Sequence, residues 1–295
     1  MSRPRYAIVE APSVLGLFPK GVERLPEALL GAGLADRLGA RRAGRVEPPP
    51  YDPRRDPETM LLNPSGIAAY SVALADAVGL ALGAGEVPVV LGGDCSILLG
   101  CLLPLRRRGR FGLLFLDGHA DFYQPEAEPN GEAASMDLAL ATGRGPALVA
   151  DPEGLRPLVR DEDVVAFGIR DAEDAEKFGS QRIEDSGVEL LDLAAIRRVG
   201  TQAALERALD WLTRPELLGF WVHLDADVLD DAVMPAVDYR MPDGLSFDEL
   251  ATVLGAAAAS GRMAGIDLTI FNPALDPDGA IAAGFADAIA RGLRS

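Results

Sequence analysis

The chain has 295 residues, 48% of them hydrophobic, and a slightly positive mean hydropathy, so a sizeable core is available and wholesale disorder is excluded. With 45 acidic against 28 basic residues the formal charge is −17, which repels polyanions; nucleic acid and anionic membrane surfaces are excluded as partners, and cations are the natural ligands. No long apolar stretch opens the chain and no later one runs about 18 residues without polar interruption, while Cys95 and Cys101 lie on one turn-to-helix segment with poor geometry for a disulfide, so the sequence reads as cytoplasmic.

In chain order, the apolar run 6–9 predicts a first strand, the Pro-rich segment 46–57 a loop, and 64–82 a helix. A buried strand at 87–91 leads into Gly92-Gly93-Asp94-Cys95-Ser96, which opens a helix over 96–107. The strand 113–116 leads into Asp117-Gly118-His119-Ala120-Asp121, and the polar stretch 123–134 reads as a loop. Strands at 164–167 and 188–191, a helix over 201–212 and a strand at 220–224 follow, the last running into Asp225-Ala226-Asp227-Val228-Leu229-Asp230-Asp231. A helix over 246–259, a strand at 263–268 and a helix over 277–293 complete the series. This alternation predicts an α/β fold, a mostly parallel sheet with helices on both faces. No repeat or linker divides the chain, so one domain over 1–295 is expected. In such sheets ligands sit beyond the carboxyl ends of the strands, which is where the polar residues after Leu91, Leu116 and Leu224 cluster.

An extended backbone would point Asp117, His119 and Asp121 to one side, and likewise Asp225 and Asp227. Any one of these acids alone reads as a turn or cap residue. Together they would repel one another unless cations lie between them. Hard divalent ions select carboxylate oxygens with an occasional imidazole, a donor set that suits Mn²⁺ better than structural zinc. Both histidines of the chain, His119 and His223, fall within the acidic clusters.

Gly92-Gly93-Asp94-Cys95-Ser96, Asp117-Gly118-His119-Ala120-Asp121 and Asp225-Ala226-Asp227-Val228-Leu229-Asp230-Asp231 resemble, in order and separation, the three signature motifs of the ureohydrolase (arginase and agmatinase) family. The resemblance extends to Phe167-Gly168-Ile169-Arg170-Asp171 and to 267–273. It implies a three-layer α/β/α fold with an about eight-stranded, largely parallel sheet, assembled as a homo-oligomer, trimer or hexamer. It also implies hydrolysis of a linear C–N bond in a small cationic guanidino, hydroxyguanidino or amidino substrate, through a hydroxide bridging two Mn²⁺ ions, with Co, Fe, Ni or Zn as other candidates. Carried over by position, one ion would be held by Cys95, Asp117, Asp121 and Asp225 and the other by Asp117, His119, Asp225 and Asp227, with Asp121 also serving catalysis.

Three departures shape the expectation. Cys95 stands where the family supplies histidine; a thiolate whose pKa is lowered by cations and a helix N-terminus would be a softer ligand and would weaken the first site. The loop with the family's proton-shuttle histidine aligns with 130–136, which has none, leaving Glu132 to move protons or grip the substrate. The acid that holds guanidinium in arginases falls at or near Ile270, which points away from arginine and towards a modified guanidine such as hydroxylated arginine. Glu173 is expected at the substrate's amino end, and His223 behind the site, donating to a metal ligand. Two other functions fit the residues: a metal-binding or regulatory relative without catalysis, and an amidinohydrolase with Cys95 as nucleophile and His119 as base. A mononuclear zinc deacylase would need more histidines than the two present.

Overall fold

The computed structural model describes residues 4–294; residues 1–3 and 295 of the expected domain lie outside them. Among the described residues eight strands form one sheet: β1 (Tyr6–Glu10), β2 (Arg41–Arg45), β3 (Val87–Leu91), β4 (Gly112–Leu116), β5 (Val164–Phe167), β6 (Glu189–Leu191), β7 (Phe220–Asp225) and β8 (Met263–Thr269). They lie in the order β2-β1-β3-β8-β7-β4-β5-β6, and every pairing is parallel. The central strands are apolar without alternation because helices cover both faces. In β4, Leu114 and Leu116 join a core with Leu205, Leu250 and Phe285, whereas Leu113 and Phe115 face Leu74, Leu98 and Leu138. The result is a three-layer α/β/α arrangement.

The chain leaves β3 on one half of the sheet and enters β4 on the other, and β7 and β8 later fill the space between them. The loops beyond β3, β8, β7 and β4 therefore meet at the middle of one sheet edge, where open α/β sheets bind ligands. Close packing holds these loops. A Cβ at Gly93 would lie 1.8 Å from the Ser13 carbonyl oxygen, so only glycine lets the turn after β3 lie against that segment.

The structure adds β2, whose sequence Arg-Arg-Ala-Gly-Arg has no apolar run because it is an exposed edge strand. It also adds short helices, among them Leu25–Gly31, Asp137–Ala141, Ala172–Phe178 and Leu193–Val199, too brief for a clear period. The helix expected from 96 opens as a tight turn, Cys95–Ile97, before Leu98–Arg106. The helix expected from 277 begins at Ala280. Among the described residues one helix, Pro64–Gly83, is long and apolar enough by composition to cross a membrane, although Ser71 and Asp76 interrupt it as the sequence reading expects. Ile67, Tyr70, Leu74 and Val78 on it are buried in the core, and its Asp76 pairs with Arg107, as befits a covering helix of the sheet.

Candidate metal centre

β4 delivers Asp117 to the end of the sheet, and the chain then turns out of the strand. The expected extended run 117–121 is not formed: Asp121 has φ +43°, so its carboxyl reaches the cluster from a turn rather than by alternation. β7 runs one residue further than expected and delivers Asp225, after which a tight turn, Ala226–Val228, presents Asp227. Asp225 Oδ1 caps that turn by accepting from the Asp227 N–H at 2.7 Å, and its Oδ2 accepts from the Cys95 thiol at 2.9 Å. Asp227 Oδ1 accepts from the Gly118 N–H at 3.1 Å, and its Oδ2 lies 2.9 Å from His119 Nδ1. Asp117 Oδ1 accepts from the His119 N–H at 2.6 Å, while its Oδ2 is buried with no partner.

The structure thus brings Cys95, Asp117, His119, Asp121, Asp225 and Asp227 to one place. Donor atoms of Asp117, His119 and Asp227 lie within 4.8 Å of one another, as do those of Cys95, His223 and Asp225. Two such groups side by side, rich in carboxylate and holding an orphaned oxygen, suit a pair of divalent cations.

Electrostatics point the same way. Burial, then the charges of Asp121, Asp225 and Asp227, push Asp117 well above the usual carboxylate range. Burial and the neighbouring Asp137 do the same to Asp121, and burial with Asp227 lifts Asp225 to about 7. Burial alone would pull His119 down, but the charge and hydrogen bond of Asp227 raise it to about 9. Burial likewise lifts Asp227, yet His119 holds it below its ordinary value. Carboxyls that must otherwise keep protons are sites where cations can replace them. Cys95 departs from the expected acidic thiol: burial, and then Asp225, push its pKa up.

The cluster opens into a cleft of about 380 Å³ whose wall includes Asp121, Glu132, Asp171, Tyr239 and Ile270, with Lys177 as its basic residue. Glu132 is almost fully buried; its Oε2 accepts from Tyr239 Oη at 2.7 Å and from Asn130 at 3.3 Å, and its Oε1 has no partner. Burial raises its pKa against the lowering effect of the Tyr239 bond. Ile270 lines the cleft at φ +67°, a strained conformation for a β-branched residue of the kind stored at functional sites. Glu173 does not line this cleft. It borders a neighbouring depression with Arg170 and Arg182 that shares Tyr123 and Asp171 with it.

His223 lies behind the cluster, fully buried, stacked on Phe115 with ring centroids 4.8 Å apart, and its Nδ1 meets Asp267 Oδ2 at 2.6 Å rather than a ligand named above. Sequence reasoning missed Asp137, Tyr239 and Thr269, the last lying 3.3 Å from the Cys95 sulfur. Tyr239 and Asp137 have no motif around them; Thr269 and Asp267 lay within the matching stretch 267–273 without being singled out.

A parallel sheet with a buried carboxylate and imidazole cluster beyond its central strands defines a metallohydrolase-like site. The family model described as Arginase family matches residues 7–293. An arginase of Bacillus subtilis is 28% identical over 276 residues, covering 92% of this chain and 91% of that one, and one of Staphylococcus aureus is 27% identical, covering 91% and 90%. The solved arginase of Bacillus caldovelox superposes with a TM-score of 0.90 at 26% identity, covering 100% of this chain and 99% of the other. The chain belongs to the arginase family.

Proposed function

We propose that this protein is a metal-dependent hydrolase of a C–N bond in a small guanidino-type cation, acting in a single arginase-like domain. The observation that carries the reading is the cluster of buried Asp117, Asp121, Asp225 and Asp227 with half-buried His119, opening on an acid-walled cleft. Asp117, His119, Asp225 and Asp227 would hold one divalent ion, and Asp117, Asp121, Asp225 and the Cys95 sulfur border a second. Oxygen-rich donors favour Mn²⁺. Such a pair supplies Lewis acidity and a water whose pKa falls to near neutrality.

The residues of this chain do the rest. Asp121 sits on the cleft wall, where it orients the attacking water. Glu132 lines the cleft with one carboxyl oxygen fixed by Tyr239, so it can grip a guanidinium or pass a proton to the departing amine. Ile270 offers no charge, which leaves Glu132, Asp121 and Asp171 to meet a polar or modified guanidine such as hydroxylated arginine. A substrate that reaches Glu173 must extend past Tyr123 and Asp171. The Cys95-nucleophile reading is disfavoured because its thiol donates to Asp225 and His119 Nδ1 is engaged by Asp227. The two buried thiols, Cys95 and Cys101, suit the reducing cytoplasm, and family resemblance supports a homo-oligomer, trimer or hexamer, to be checked by sizing.

The deciding experiment is to purify the protein without chelator, count bound metal, and assay a guanidino panel before and after chelation and Mn²⁺ return. Close to two ions per chain, with activity lost on chelation and restored by Mn²⁺, is expected. Hydrolysis that survives full metal removal would overturn the proposal.

A further inference from the structure

The ion bordered by Cys95 lacks the imidazole that position 95 would otherwise bring, yet a nitrogen donor stands nearby. Among the described residues, Asp117 Oδ2, Asp137 Oδ2 and His223 Nε2 are buried polar atoms without a hydrogen-bond partner. His223 Nε2 is near both of the others, 3.9 Å from Asp117 Oδ2 and 3.9 Å from Asp137 Oδ2. That is too long for a hydrogen bond. It is close to the separation of two ligands on one ion, since donors about 2.0–2.3 Å from a shared cation lie roughly 3–4 Å apart.

The rest of each side chain is fixed so that these atoms face inward. Asp137 opens the helix Asp137–Ala141, and its Oδ1 accepts from the Leu138 N–H at 2.8 Å, leaving Oδ2 free. The ring of His223 is clamped against Phe115. Its Nδ1 meets Asp267 Oδ2 at 2.6 Å, and Asp267 Oδ1 in turn accepts from Trp221 Nε1. A carboxylate that accepts from one ring nitrogen places the proton there and turns the lone pair of the other towards a metal. His223 shares its strand face with Asp225, and donor atoms of the two lie within 4.8 Å.

Resting on the two-ion reading above, we infer that His223 Nε2 and Asp137 Oδ2 are ligands of the ion bordered by Cys95, replacing the imidazole that Cys95 does not provide. The imidazole has moved from the turn after β3 to the end of β7. The site keeps a nitrogen donor, and Asp267 and Trp221 orient it from behind.

Because the chain has only two histidines, metal-bound imidazoles can be counted in the wild type without a variant. The protein would be labelled with 15N-histidine, loaded with Zn²⁺, and studied by NMR alongside a metal count. Two rings, each with one metal-bound nitrogen, and a proton retained on Nδ1 of His223, are expected together with two ions per chain. A single metal-bound ring, that of His119, overturns the assignment whether one ion or two are counted. Bound metal absent altogether would defeat the two-ion reading itself, and the inference with it. Asp137→Asn is expected to weaken binding of one Zn²⁺ at least tenfold while the His119 ring stays metal-bound; unchanged affinity for both ions would remove Asp137 from the ligand set.

Discussion

Asp225 receives the Cys95 thiol on one oxygen and the Asp227 amide on the other, and burial followed by the Asp227 charge lifts its pKa to about 7. An acid whose folded pKa exceeds its unfolded value near 4 binds more protons in the folded state, so without metal it removes stability as pH rises from about 4 to 7. His119, raised to about 9, adds stability that is complete below its unfolded pKa and is lost as pH climbs through 9. Both effects have one sign. The chelated protein should therefore show a falling Tm from pH 5 to 9, whereas with Mn²⁺ the Tm should hold or rise, because ions bind more tightly as they displace protons. A flat chelated profile would contradict this. At Glu132, Gln should lower kcat by about 100-fold or more with the metal count unchanged, as fits a proton-transfer or substrate-holding group rather than a ligand.

Secondary elements set how precisely those side chains are aimed. The indole of Trp221 on β7 lies over Gly265 on β8, where a Cβ would come within 2.1 Å of the ring. Gly265→Ala should displace the indole that supports Asp267, costing about 1–3 kcal/mol of stability and weakening metal binding together. A contrasting change is Ser246→Ala, which removes the capping box shared with Glu249 at the start of Phe247–Ala259. It should cost about 1 kcal/mol in thermal or urea unfolding and leave the metal count alone. Strands buried on both faces announced themselves in the sequence, since β3, β4 and β5 are continuous apolar runs, and acids, Asp117 and Asp225, stand at the ends of β4 and β7. Asp137 stayed hidden because a lone acid opening a five-residue helix has no periodic signal, and its meaning depends on His223, which is distant along the chain. The left-handed turn at Asp121 was equally unreadable, because an alternating motif after a strand looks like more strand.

At the scale of the whole molecule, charge is uneven. The formal charge is −17 and the cleft wall gathers Asp121, Glu128, Glu132 and Asp171, so a cationic substrate is drawn in by a field that salt screens. For such a substrate kcat/KM should fall as ionic strength rises, and more steeply than for a neutral amidine analogue measured beside it. The opposite tendency appears at the far margin of the sheet. β2 carries Arg41, Arg42 and Arg45, each paired with acids of its own chain, Glu86, Glu10 and Glu27 among them. A second copy sliding up to continue the ladder would have to set one row of guanidinium groups against another and tear them from their carboxylates. The arginine strand is thus a hem: at this margin the sheet stops.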